Sequence, residues 1–283
     1  MKIIAKLGKM RSVVKDVKSQ GKTVGFVPTM GSFHEGHLSL VRESLRKTDV
    51  TVVSIFVNPA QFGPKEDFKD YPRDLKQDSE ILEREGVDYL FVPDTDKIYP
   101  EGYETYVEVH DLEDKLCGRS RPSHFRGVCT VVLKLFNIIT PDISFFGQKD
   151  AQQAIILKRM VQDLNLDLRI EVLPIIREKD GLAISSRNSY LNQKERKAAL
   201  VLSRSLKEAQ LMIKKGEKGS AAILGRMKEI INEEPLVKID YVEVVDMGKL
   251  TPVTRIEKEV LVALAVFIGK VRLIDNTILR MKE

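Results

Sequence analysis

His34 and His37, two of the chain's four histidines, stand three residues apart in VPTMGSFHEGHLSLV (27–41), with Gly31 and Gly36 beside them. The residues before them are β-rich and a helical pattern starts near Glu35 or Gly36, so both imidazoles fall on one face of a helix N-terminus. Exposed backbone N–H groups and the helix dipole attract phosphate there, and imidazoles add donors without a large fixed charge. The two glycines would let a ligand approach the backbone closely. This combination suits polyphosphate in a nucleotide-transfer reaction. A zinc pair is one alternative, although H-E-G-H lacks the i, i+4 spacing of metalloprotease helices and no third ligand is obvious. Two histidines satisfied structurally within a strand-to-helix turn are the other.

Three more stretches carry groups of matching chemistry. DISFFGQKDAQQ again ends a strand in glycine before a helix. Its Gly147, Lys149, Asp150 and Gln153 would share a sheet edge with the histidines: lysine for phosphate, aspartate for ribose hydroxyls, glutamine for a small polar acid. KDGLAISSRNSYL (179–191) packs Ser185, Ser186, Arg187 and Asn188 into a loop of donors suited to β- and γ-phosphates. Beyond it, Asn192 and Glu195 have the spacing of a capping box. SIFVNPAQFGPKEDFKDYPRDLKQD sets Asn58 and Gln61 after a strand, where amides suit hydroxyl recognition. The aspartates Asp70, Asp74 and Asp78 follow at i, i+4, i+8; they could reach Mg²⁺ on a nucleotide, or form a solvated helix face, which is the expectation for most of them.

The elements that must position these groups alternate. Strand patterns at 22–29, 49–58, 88–93, 142–147 and 168–176 are separated by helical ones, GHLSLVRESLRK, RDLKQDSEILEREG, FRGVCTVVLKLFNIIT and KDAQQAIILKRMVQDLN. Such βαβα order predicts an α/β fold, a Rossmann-like, doubly wound, mostly parallel sheet that binds ligands at the carboxyl ends of its strands. After residue 175 the pattern becomes two helices, near 192–215 and 219–233, and three strands, KIDYVEVVD, EVLVALAVFIG and VRLIDNTIL. We therefore expect units at 1–175 and 176–283, the second a smaller α+β lid whose SSRN loop completes the site on closure.

Composition narrows the class. With 283 residues, 43% of them hydrophobic, the chain can bury a sizeable core. No apolar run approaches the roughly 20 residues that span a bilayer, and MKIIAKLGKMRSVVKD is too charged for a signal peptide, so the expected location is cytoplasmic. Cys117 and Cys129 form no C-x-x-C pair and read as packing residues. The net charge of +5 comes from the second part: residues 1–175 carry 25 basic and 26 acidic side chains, residues 176–283 carry 21 and 15. That excess lies in Lys/Glu-interleaved helices with no arginine stripe interleaved with aromatics, which argues against a nucleic-acid-binding module.

Taken together, PTMGSFHEGHLSLV, FVNPAQFGPKEDFKDYPRD, RPSHFRGVCTVVLKLFNIITPDISFFGQKDAQQ and DGLAISSRNSYL, in this order, closely resemble the pantoate–β-alanine ligase family over residues 23–191. H-x-G-H alone would indicate only the wider nucleotidylyl-transferase superfamily, in which an enzyme that leaves AMP on its product is the competing reading. Departures are slight: Ser32-Phe33 replaces the commoner Ala-Leu, and Gln148 the commoner Glu. The resemblance implies a dimeric ligase dependent on ATP and Mg²⁺ that joins pantoate to β-alanine through pantoyl adenylate. It further implies that Met30, Gln61 and Gln153 bind pantoate with Asn58 nearby, and that His34, His37, Lys149, Ser185, Ser186 and Arg187 hold the phosphates. Gly147 and Asp150 would hold the ribose, Arg121 or Arg126 the β-alanine carboxylate, and Asp78 the metal.

Overall fold

The computed structural model describes residues 1–64 and 66–280. Six strands form one parallel sheet: β1 (Lys2–Ile4), β2 (Val24–Thr29), β3 (Val50–Ile55), β4 (Tyr89–Phe91), β5 (Ile143–Gly147) and β6 (Arg169–Leu173), in the spatial order β1-β4-β3-β2-β5-β6. Both faces are buried, which is why these strands read as near-continuous apolar runs. Val24, Phe26, Val52 and Phe146 point into one layer, with Met10 and Val14 of α1 (Leu7–Ser19) and with α6 (His124–Ile139). Val27, Val53, Leu90 and Phe145 point into the other, under Leu40 and Val41 of α2 (Glu35–Lys47) and Leu82 of α3 (Leu75–Glu85). β2 pairs with both β3 and β5, so the chain order reverses there and a crevice opens at their carboxyl ends.

The first strand and helix stand outside the sequence expectation. β1 is three residues long, and α1 buries Met10, Val14 and Val17 at helical spacing within a lysine-rich stretch. Two short helices, α4 (Thr95–Ile98) and α5 (Cys117–Ser120), interrupt the long connection before α6, and α7 (Ala151–Asp163) follows β5.

Beyond β6, the predicted helix near 192–215 is split at Ala199 into α8 (Gln193–Ala198) and α9 (Leu200–Lys214); α10 (Ser220–Asn232) follows. The Asn192–Glu195 capping box is present at the start of α8. β7 (Val237–Asp246), β8 (Val260–Ile268) and β9 (Val271–Leu279) make an antiparallel sheet in that order. One face of β8 (Val260, Val262, Leu264, Val266) packs on α8, α9 and α10, while Leu261 and Ala263 on the other face join the core that holds α1 and α6. Two buried faces explain the unbroken VLVALAVFI run, in which alternation would otherwise be expected. Cys117 and Cys129 are both buried and unpaired, as expected of packing residues. No helix among the described residues is long and apolar enough to cross a membrane.

Candidate active site

β2 ends at Pro28-Thr29, and the turn into α2 is held from below. The Thr29 hydroxyl donates to the Ser54 carbonyl (2.7 Å) and accepts from the Gly31 N–H (3.2 Å). Gly31 takes φ +85°, which favours glycine, and a Cβ there would stand 2.7 Å from the Asp78 carboxylate. Ser32 and Phe33 donate their backbone N–H groups to Asp78 Oδ2 and Oδ1, at 2.9 and 3.1 Å. His34 is then the N-cap of α2. Its ring stacks on that of His37 with centroids 4.0 Å apart and planes 13° apart, and Phe33 closes edge-on against His37. Gly36 makes room for this stack, because a Cβ would lie 2.9 Å from the His34 ring. The two glycines therefore serve the loop and the imidazoles, where the sequence suggested space for a ligand.

Both imidazoles are kept neutral. Burial, reinforced by the Lys149 ammonium, lowers the His34 pKa to about 4. Burial, then His34 and Lys149, takes His37 well below its ordinary value. Nδ1 of each ring is buried and has no hydrogen-bond partner among the described residues. Neither atom is offered to the cavity: both are shut off from solvent, and His34 Nδ1 lies 3.0 Å from where a Cβ on Gly36 would stand.

A cavity of about 230 Å³ lies over the crevice, lined by Met30, His34, His37, Asn58, Gln61, Gly147, Lys149, Asp150, Gln153, Ser185, Ser186 and Arg187. A larger one, about 680 Å³, continues toward β8 and β9 and shares Lys149, Asp150, Gln153, Ser185 and Arg187. Arg121 borders both. Of the residues singled out from the sequence, Arg126 and Asp78 border neither. Arg126 pairs instead with Glu108 at 3.4 Å and lies over the Tyr106 ring. Arg121 holds Glu66 through two hydrogen bonds of 2.8 and 2.6 Å.

Asp78 was expected to meet a metal, and its surroundings do not fit one. It is 3% exposed and both its oxygens accept from backbone N–H groups, so it braces the histidine loop. Its neighbours in the i, i+4, i+8 series differ: Asp70 is exposed, and Asp74 caps α3 by accepting from the Gln77 N–H. Among the described residues the one cluster with metal-ligating spacing, Glu108, His110 and Glu113, lies outside both cavities. Asp78→Asn should turn one acceptor against a backbone donor and destabilise the fold by about 2–3 kcal/mol. Denaturant unfolding checks the loss. A weakened Mg²⁺ requirement at unchanged stability would restore the metal role.

Several groups at the site were not picked out from the sequence. Asp67 holds Arg187 through two hydrogen bonds, 3.1 and 2.9 Å, and Tyr190 donates to the Asp70 carbonyl (3.3 Å), so the SSRN turn rests on the segment between β3 and α3. His124 borders both cavities, with Nδ1 2.8 Å from the Gln61 carbonyl and Nε2 3.0 Å from Arg121. Asn276 of β9 donates to the carbonyls of Gln148 and Lys149 at 2.9 and 3.0 Å, clamping the turn that carries Lys149. These contacts span up to 128 residues and leave no local pattern; RPSHFR was the one visible hint, for His124.

Comparison with known proteins agrees with this geometry. The family described as Pantoate-beta-alanine ligase matches residues 2–278. Pantothenate synthetases from Caldicellulosiruptor bescii and Thermosipho melanesiensis are 53% and 56% identical, over 100% of each chain in the first case and 98% of this chain and 99% of the relative in the second. The crystal structure of pantothenate synthetase from Thermus thermophilus superimposes with a TM-score of 0.93 at 40% identity, covering 98% of this chain and 99% of that one. That of pantoate-beta-alanine ligase from Francisella tularensis, complexed with beta-gamma ATP and beta-alanine, gives 0.81 at 34% identity, covering 98% and 97%. With a family match over nearly its whole length and relatives identical at more than half their positions, the chain belongs to the pantoate-beta-alanine ligase family.

Proposed function

We propose that the chain condenses pantoate with β-alanine at the expense of ATP, in two steps at the crevice between β2 and β5. The observation that carries this reading is the stacked pair of neutral imidazoles in one cavity with Lys149 and the amides of Gln61 and Gln153. In the first step a pantoate carboxylate oxygen attacks the α-phosphorus, the bond to the β-phosphate bridging oxygen breaks, and pyrophosphate leaves. An ionised carboxylate needs no base, so the protein's work is alignment and neutralisation of charge. His34, His37 and Lys149 suit the α- and β-phosphates, and Ser185, Ser186 and Arg187 the departing pyrophosphate. Met30, Gln61 and Gln153 suit pantoate, and Gly147 and Asp150 the ribose.

In the second step the β-alanine amine attacks the acyl carbon, AMP leaves with the bonding electron pair, and the amine proton passes to solvent. Arg121 is the cation on the cavity wall for the β-alanine carboxylate, by exchange with Glu66. Asp78 is committed to the histidine loop, so a magnesium requirement would rest on the nucleotide's own phosphates. The family resemblance also supports a cytoplasmic homodimer with units divided at residues 175 and 176.

The protein should exchange labelled pyrophosphate into ATP when pantoate is present and β-alanine absent, and not without pantoate. An acyl-phosphate route would release ADP and leave exchange silent. Exchange that appears only on adding β-alanine would reject the two-step order.

A further inference from the structure

The amide of Gln61 has one sense, and a chain of contacts running back from the cavity wall sets it. Asn58 is 1% exposed and caps the short 3-10 turn Pro59–Gln61. Its Nδ2 lies 3.0 Å from the Gly127 carbonyl, which can only accept, and its Oδ1 lies 3.3 Å from the Ala60 N–H, which can only donate. These two backbone groups fix which end of the Asn58 amide is which. The second place on Oδ1 is taken by the Tyr99 hydroxyl at 2.8 Å, which must therefore donate. The second hydrogen on Nδ2 goes to Gln61 Oε1 at 3.0 Å. Gln61 is left with its Nε2 turned into the cavity, 3.1 Å from the Met30 sulfur. Tyr99 itself borders neither cavity; burial and its neighbours Tyr103 and Tyr106 raise its hydroxyl pKa, so the proton it donates is retained.

We infer that Tyr99 is a positioning residue that holds Gln61 as a hydrogen-bond donor toward an oxygen of the hydroxy acid, and thereby contributes to selection of that substrate. The inference rests on the reading of this cavity as the pantoate site. A donor fixed in this way rewards an acceptor oxygen on the ligand and leaves a buried N–H unpaired when that oxygen is missing. Without the Tyr99 proton, Asn58 Oδ1 retains only the longer bond from Ala60, so the Asn58 amide keeps its sense but holds Gln61 less firmly.

The test is Tyr99→Phe, assayed beside Gln61→Ala with pantoate and with its 2-deoxy and 4-deoxy analogues. Tyr99→Phe should raise the pantoate KM about five- to tenfold, the worth of one neutral hydrogen bond, with the KM values for ATP and β-alanine within about twofold of wild type. It should also shrink the penalty that wild type imposes on one of the two deoxy analogues, because a donor held less firmly gains less from the oxygen that the analogue lacks. A purely structural loosening would lower kcat/KM for pantoate and both analogues alike and would overturn the inference. So would an unchanged pantoate KM in Tyr99→Phe when Gln61→Ala raises it. If Gln61→Ala itself leaves the pantoate KM unchanged, the pantoate assignment of the cavity fails, and the inference with it.

Discussion

Replacing either His34 or His37 by alanine is expected to slow adenylate formation about 10²–10³-fold, the usual cost of removing a preorganised donor from a developing phosphate charge. The two rings are stacked 4.0 Å apart, so each also sets the plane of the other. The double variant should therefore lose less than the product of the single effects. Single-turnover formation of the acyl adenylate measures the step directly; near wild-type rates in both single variants would remove the phosphate role. The pKa directions add a second signature. Because the folded protein holds His34 and His124 near 4 and His37 well below its ordinary value, the unfolded chain takes up protons first as the pH falls. Their contribution to stability is thus complete above pH 6.5 and is lost as the pH drops toward 4. His37→Ala should flatten part of that acid limb in denaturant titrations, and an unaltered limb would contradict the burial of a neutral ring.

Gly127→Ala is the other substitution with a large expected effect. A Cβ at Gly127 in α6 would stand 2.2 Å from the Ala60 carbonyl oxygen, 2.5 Å from its carbon and 2.7 Å from the Gln61 nitrogen. All three are backbone atoms of the turn that carries Gln61, and none can rotate away. The turn must shift by about 1 Å, a displacement that can cost about 10²-fold in a positioned reaction, and overpacking should destabilise the fold by about 1–3 kcal/mol. Pantoate binding followed by calorimetry and urea unfolding read the two losses. Gly225→Ala in α10 is the matched control: no atom lies within 4 Å of its added Cβ, so it should be neutral or stabilising by up to about 1 kcal/mol. Equal behaviour of the two variants would mean that α6 is free to move off the turn.

How far the sequence could be read depended on the range of the interaction. The β2-to-α2 turn was readable because its parts are consecutive: an apolar run, glycines, then a helical period beginning at Glu35. The Asn192–Glu195 cap was readable for the same reason. Asp78 was not, since an acid four residues after Asp74 on a helix reads as a solvated face until the loop 46 residues earlier is folded over it. Arg121 and Arg126 could not be told apart by type or spacing; that Arg121, at the end of α5, borders the cavities while Arg126, in α6, turns to Glu108 is a tertiary fact. Strand β1 escaped for a different reason, as three residues are too few to show a period.

The clamp of Asn276 on the Gln148–Lys149 turn makes strand register in one sheet a condition for the cavity at the edge of the other. Asn276 pairs with Ala263 of β8 in the antiparallel sheet, and its side chain donates to the carbonyls of the turn that sets Lys149 on the cavity wall beyond the parallel sheet. Because alternate residues of a strand point to opposite faces, a slip of β9 by one residue against β8 would carry the Asn276 side chain away from that turn and leave Lys149 unclamped while the histidines stayed in place.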